Sequence, residues 1–322
     1  MKLTEKTLIF SLEDAPVTEH HASTLAMLPD GRIAAAWFGG TKEKNPDVEI
    51  WCSLRTTDGR WTKPSVASVP GSVACWNPVL YHDGTVLRLF FKRGEGIDDP
   101  PWATWTKTAE ITKDGTFIWS EEHELVPGDV SGGRGPVKDK PILLSDGTLL
   151  AGASHEFTDG RWLAFADRSS DAGKTWENSA YFETEPGVGL IQPTLWEDDK
   201  GVHALMRSNK GYIYRADSRD LGKTWSRAYP TSLSNNNSGI DLVKFSEQGL
   251  ALVCNPVCGN WGKRTPLSLF VSQDSGDTWK RTLDLETADG EFSYPAVITD
   301  GERLYCTFTY RRRSVMFTII EL

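Results

Sequence analysis

The chain repeats itself, and the repeat restricts its fold more than any other feature. Three segments share the pattern Ser-x-Asp-x-Gly-x-Thr-Trp: Ser169 to Trp176 (SSDAGKTW), Ser218 to Trp225 (SRDLGKTW) and Ser272 to Trp279 (SQDSGDTW). Two weaker copies lie upstream, TTDGRW at Thr56 to Trp61 and TKDGTFIW at Thr112 to Trp119. The motif aspartates Asp58, Asp114, Asp171, Asp220 and Asp274 therefore recur every 49 to 57 residues. A second repeat runs out of phase with the first, a short turn between two apolar runs: LPDGRI, YHDGTV, LSDGTL, EDDKGV, SEQGLA and ITDGER. Asp-Gly between alternating apolar residues marks a hairpin, because glycine supplies the positive φ that the turn needs.

Each of the first five hairpins is followed by an Asp motif. One unit therefore reads strand, DG turn, strand, long connection, strand, Asp-motif turn, strand. Four-stranded units of about 50 residues in series predict a β-propeller, and 322 residues divide into six such units. The expectation is an all-β, six-bladed β-propeller spanning residues 1–322 as one domain; the rival is an open array or two three-unit domains. The sixth unit lacks its outermost strand, and TLIFSL at Thr7 to Leu12 is expected to supply it, closing the ring and covering a sheet edge. The motif aspartates should accept hydrogen bonds within their turns, with the motif tryptophans packed between strands.

Composition narrows the function. Lysine plus arginine number 35 against 44 acids, a net charge of −9, which argues against a nucleic-acid partner. No apolar run is long enough for a membrane helix and the first residues do not read as a secretion signal, so no membrane partner and a cytoplasmic location are expected. Five scattered cysteines suit free thiols better than a disulfide framework. Neither a dinucleotide loop nor a Walker sequence is present, and Cys254-x-x-x-Cys258 has no partner pair, so neither cofactor nor metal is expected. No feature fixes an oligomeric state.

Both turns of a unit fall on one face of the disc. The opposite face carries the residues that enter each first strand and leave each second strand, and it is crowded with polar and basic groups. The candidates there are His20, His21, Asn77, Lys138, Gln192, Asp241, Glu291 and Tyr294 entering, and Glu43, Asp47, Lys92, Arg207, Arg264 and Arg311 leaving. Arginines and lysines gathered at one channel mouth of an acidic protein point to an anionic small molecule, most simply a carboxylate.

The Asp boxes, the six units and these arginines resemble the sialidase (neuraminidase) superfamily. The segments HASTLAMLPDGRIAAAWFGGT, WNPVLYHDGTV, GPVKDKPILLSDG, IQPTLW, NNNSGIDLV and FSYPAVITDG are similar to its bacterial and plant sialidase-like branch over nearly the whole chain. The resemblance implies arginines on a substrate carboxylate, a tyrosine nucleophile paired with a glutamate, and an aspartate as general acid. It assigns Arg207 and Arg264 to the carboxylate, Tyr294 to nucleophilic attack, Glu291 to assist it, and Asp47 to protonate the leaving group, with Glu43 second. Two positions depart from the family pattern: His20-His21-Ala22-Ser23 replaces an Arg-Ile-Pro segment, and Gln192 stands where a glutamate is expected. The leading expectation is an exo-glycosidase for an acidic saccharide. A lyase using His20 or His21 as base and a non-catalytic glycan-binding propeller are the rivals.

Overall fold

A computed structural model describes residues 1–95 and 101–322. Among the described residues there is no helix, and the strands form six antiparallel sheets. Blade 1 comprises Glu19–Met27, Ile33–Gly40, Glu49–Arg55 and Ser65–Val66. Blade 2 is built on Cys75–His82, Leu87–Arg93 and Ala103–Ile111, and blade 3 on Ile142–Leu143, Leu149–Glu156, Trp162–Ser169 and Glu177–Asn178. Blade 4 runs Leu190–Asp198, Gly201–Ser208, Tyr212–Ser218 and Tyr229–Ser234; blade 5 runs Asp241–Lys244, Leu250–Cys254, Leu267–Ser272 and Lys280–Glu286. Blade 6 takes Phe292–Thr299, Arg303–Tyr310 and Ser314–Glu321 from the C-terminal part of the chain, and its outer strand from the N-terminal part.

That closing strand is Lys2–Leu8, paired antiparallel with Ser314–Glu321 from Lys2 opposite Glu321 to Leu8 opposite Met316. It lies earlier than the expected Thr7 to Leu12. The reason is burial: KLTEKTL alternates exposed and half-buried positions, as suits an outer strand, whereas Ile9 and Phe10 are buried in the seam between blades 6 and 1.

The core is divided among the six seams. Separate apolar clusters join blades 1 and 2, 2 and 3, 3 and 4, 4 and 5, 5 and 6, and 6 and 1, so the ring closes on itself. The motif tryptophans fill these seams and pack between blades rather than only between strands: Trp176 against blade 2, Trp225 against blade 3, Trp279 against blade 4. The Asp turns form as expected. Asp274 Oδ1 accepts from Thr278 N at 2.9 Å and Ser272 Oγ at 2.7 Å, while Oδ2 accepts from the Thr278 hydroxyl at 2.5 Å. Led by that hydroxyl, these donors hold the Asp274 carboxyl down at about 2. Trp279 Nε1 donates to Gly276 O at 3.2 Å, locking the indole over its own turn.

Of the six hairpin glycines, Gly249 does not adopt positive φ. A Cβ there would meet Ser246 Oγ at 2.3 Å and the Phe245 ring at 2.6 Å, so close packing fixes this glycine instead.

One device points side chains into the channel mouth. In the first strands of blades 1, 2, 4 and 6 the ladder slips, between His21 and Thr24, Trp76 and Val79, Ile191 and Thr194, and Ser293 and Ala296. Each slip contains a residue at positive φ: Ala22 (52°), Asn77 (40°), Gln192 (55°) and Tyr294 (51°). Such bulges re-aim side chains, and in three of the blades the next residue is Pro78, Pro193 or Pro295, which cannot donate to the ladder.

Candidate active site

The cavity at this mouth, about 320 Å³, takes residues from all six blades. Its floor and one wall are His21, Gln192, Arg207, Arg264, Tyr294 and Arg312; Asn77, Glu43, Lys44, Glu95 and Glu156 add polar groups, and Trp76, Trp102, Trp162 and Trp261 form aromatic walls. The tryptophans pair edge-to-face, Trp76 with Trp102 at 5.3 Å between ring centroids and Trp162 with Trp261 at 5.8 Å.

Arg207 sets the electrostatics. Its side chain is fully buried, yet every partner is neutral. Nε donates to Asn237 Oδ1 at 2.9 Å, Nη1 to Gln192 Oε1 at 3.2 Å and to Tyr294 Oη at 2.7 Å, and Nη2 to the Asn237 carbonyl. The guanidinium lies 5.6 to 5.9 Å from the ring centres of Tyr294, Trp261 and Trp162. Among the described residues it has no carboxylate partner, and a buried cation in that state is costly unless a ligand supplies the counter-charge.

Arg264 and Arg312 share acids. Arg264 Nη1 donates to Glu291 Oε1 at 2.5 Å, Arg312 Nε donates to both Glu291 oxygens at 3.0 Å, and Arg312 Nη1 donates to Glu43 Oε2. Both guanidinium groups also face His21 Nε2, at 3.5 and 3.4 Å, while His21 Nδ1 bonds the Thr309 hydroxyl at 2.9 Å. Burial first, then Arg312, Arg264, Arg207 and Lys138, drives the His21 pKa well below the usual histidine range, so the ring is neutral. It packs against Tyr294 with 4.4 Å between ring centroids.

The structure thus brings together His21, Asn77, Gln192, Arg207, Arg264 and Tyr294 from the sequence-derived candidates. It corrects the others. Arg311 lies outside the cavity, exposed, with Nη2 on the Asp289 carbonyl; Arg312 faces in instead, because both residues sit in a left-handed turn that sends successive side chains apart. Asp47 also faces away. Its carboxylate staples its own loop, accepting from Thr41 N and Oγ1 at 3.0 Å, and Glu43 is the acid of that loop on the cavity. Glu291 makes no hydrogen bond to Tyr294 and sits behind the arginines.

Lys92, Lys138 and Asp241 are buried beneath the walls rather than exposed to a ligand. Lys92 stacks on the far side of the cavity lining, 4.3 Å from the Trp102 ring centre, and burial lowers its pKa to about 8. Asp241 ties blades together, paired with Lys140 at 2.9 Å and accepting from Thr194 Oγ1 and Val297 N. His20 is sequestered: Trp37 Nε1 donates to its Nδ1 at 2.9 Å, and its Nε2 lies 3.1 Å from the Val17 carbonyl.

Sequence reasoning missed Trp102, Trp162 and Trp261 as lining residues; Glu156 and Arg312 stand at second-strand ends on the face it picked out, but were not singled out as site residues. A signal existed for the tryptophans. Once the five in Asp motifs are set aside, those at the strand ends and connections opposite the DG turns are the ones that reach the cavity.

Fold and cavity together define a six-bladed propeller with a cationic, tryptophan-walled mouth. The family described as BNR repeat-like domain matches residues 31–306, and the chain belongs to it. Among solved structures, the Hadza microbial sialidase Hz136 superposes with a TM-score of 0.80 at 17% identity, over 98% of this chain and 68% of that one. A protein of unknown function from Dyadobacter fermentans DSM 18053 gives 0.80 at 15% identity, over 100% and 99%. Trypanosoma rangeli sialidase in complex with sialic acid gives 0.74 at 18% identity, over 94% of this chain and 54% of that one. These likenesses show the sialidase-type propeller fold. A search of curated proteins gives no match.

Proposed function

We propose that the protein is an exo-acting glycosidase for a carboxylate-bearing sugar. The observation that carries this reading is the buried guanidinium of Arg207, held only by neutral acceptors, at the floor of a cavity that two further arginines line. A ligand carboxylate supplies the missing charge, with one Nη2 proton of Arg207 still free to donate to it. Tyr294 then attacks the anomeric carbon. Its oxygen forms the new C–O bond, the bond to the leaving group breaks, and the leaving oxygen takes a proton from a rim carboxyl, for which Glu43, Glu95 and Glu156 on the cavity lining are the candidates. Water reverses the sequence and frees the sugar. Because Arg207 donates to the phenol oxygen, the phenol's own proton points away from the guanidinium and passes to water in the cavity as the C–O bond forms.

A second reading, β-elimination, is favoured by one observation: among the described residues Tyr294 has no carboxylate neighbour in hydrogen-bond contact, and a neutral histidine packs on its ring instead. In that reaction the arginines neutralise the carboxylate, His21 or Tyr294 removes the adjacent C–H proton, a C=C bond forms, and the glycosidic C–O bond breaks. Fluorogenic sialosides and uronosides, assayed beside the absorbance of an unsaturated uronate product, separate hydrolase from lyase. Binding of an acidic sugar without turnover identifies a lectin-like propeller. Activity that survives both Arg207→Ala and Tyr294→Phe overturns the assignment.

A further inference from the structure

Lys138 has no part in the chemistry above, yet its position bears directly on Tyr294. It enters from blade 3 and is 4% exposed. Its ammonium group carries three protons and has three acceptors: Asp139 Oδ1 at 2.8 Å, the Ile240 carbonyl at 2.6 Å and the Pro295 carbonyl at 2.5 Å. The last belongs to the residue that follows Tyr294 and lies 157 positions away in the chain. Burial raises the Asp139 carboxyl to about 8 against the pull of Lys138, so the pair is not a simple charge match; the two backbone carbonyls are the more constant partners.

Tyr294 needs such help. Its φ of 51° is uncommon for an aromatic residue, and conformations of this kind persist only where the surroundings over-determine them. Pro295 already disfavours the right-handed helical region for the residue before it, leaving extended and left-handed backbone as the main choices. Gly239 supplies the other half of the seat. A Cβ at that position would come within 3.1 Å of Tyr294 Cγ and Cδ1 and of Lys138 Cε, so the bare α-carbon lies directly against the tyrosine ring and the lysine stem.

We propose that Lys138 is a positioning residue for Tyr294: its hydrogen bond to the Pro295 carbonyl, with Gly239 beneath the ring, selects the left-handed backbone that aims the phenol at Arg207. Without the ammonium group Tyr294 relaxes toward extended backbone and its oxygen leaves the guanidinium. The functional weight of this inference rests on Tyr294 as the reacting group, but the geometry is testable without turnover.

The test uses the full chain labelled with [13Cζ]tyrosine, which has eight tyrosines, with the Tyr294 resonance assigned by its loss in Tyr294→Phe. The double variant Lys138→Met/Asp139→Asn replaces both members of the pair together and leaves neither without its partner. The Tyr294 resonance should move or split, and kcat on whichever acidic sugar the wild type turns over should fall about 100-fold, as for a reacting group displaced by about 1 Å, with KM changed little. A Tyr294 resonance superimposable on the wild type overturns the proposal. Should the double variant not fold, Gly239→Ala presses on the same seat from the other side and is read identically. If the resonance moves while the wild type turns over no acidic sugar, the positioning role stands and the reading of Tyr294 as nucleophile or base falls.

Discussion

Replacing Gln192 by glutamate changes one atom pair and no volume, and it tests the uncompensated charge of Arg207 directly. Gln192 Oε1 lies 3.2 Å from Arg207 Nη1. A carboxylate there gains about 5 kcal/mol of attraction at an effective dielectric of about 20, and desolvation of the new charge offsets much of it. The fold should therefore be no less stable, with an unchanged or slightly raised melting temperature. Ligand binding should respond in the opposite sense. A ligand carboxylate across the guanidinium, roughly 6 Å from the new charge, meets about 3 kcal/mol of repulsion, or about 100-fold in affinity. Isothermal titration calorimetry at pH 7 and low salt, with N-acetylneuraminic, glucuronic and galacturonic acids, reads this directly. The reasoning fails if Gln192→Glu binds an acidic sugar as tightly as the wild type. It fails equally if no acidic sugar binds the wild type at all.

Other outcomes follow from the same geometry. Between pH 6.5 and about 4 stability should fall. Burial leads in holding His20 and His155 down at about 4 and His21 well below the usual histidine range, so the unfolded chain takes up protons there that the folded one refuses. Asp139, raised to about 8, opposes one of the three, leaving two protons net and about 2.7 kcal/mol per pH unit near pH 5, measurable by denaturant titration; a flat profile over that range contradicts the assignment. Binding of an acidic sugar should draw a proton toward His21 by shielding it from the arginines, seen as a dependence of the calorimetric enthalpy on buffer ionisation that His21→Gln abolishes. Gly152→Ala should destabilise by about 1–3 kcal/mol in urea unfolding, since a Cβ there would lie 2.0 Å from the Pro193 carbonyl of the next blade.

The blades were legible because their marks are local. An Asp turn is closed by residues at most four apart, such as Thr278 on Asp274, and needs no knowledge of the rest of the chain. Blade number, strand order and the face of the site followed from counting them. The site itself was legible only by face. Reading positions as strand ends put Arg207, Arg264, Gln192 and Tyr294 on the face that holds the cavity, but could not show that Arg207 and Tyr294 touch across 87 residues. It also could not resolve Arg311 from Arg312, whose inward choice depends on two consecutive positive φ angles. Lys92, Lys138 and Asp241 carry the right charge for ligand contact; that they lie one layer too deep depends on bulges and connections with no short-range mark of their own. Asp47 and Glu43 share one loop, and only the bonds that Asp47 makes with Thr41 decide between them.

The cavity draws His21 from blade 1, Arg207 from blade 4, Arg264 from blade 5, and Tyr294 and Arg312 from blade 6, while the ring is latched at its outer edge by a single strand, Lys2–Leu8. A small anion seated among those side chains would add a central rivet to a disc already held by its apolar seams and by that rim strand. Saturating ligand should therefore slow the peeling of the N-terminal strand, even though that strand touches no part of the pocket, and limited proteolysis near the N-terminus becomes a distant gauge of occupancy.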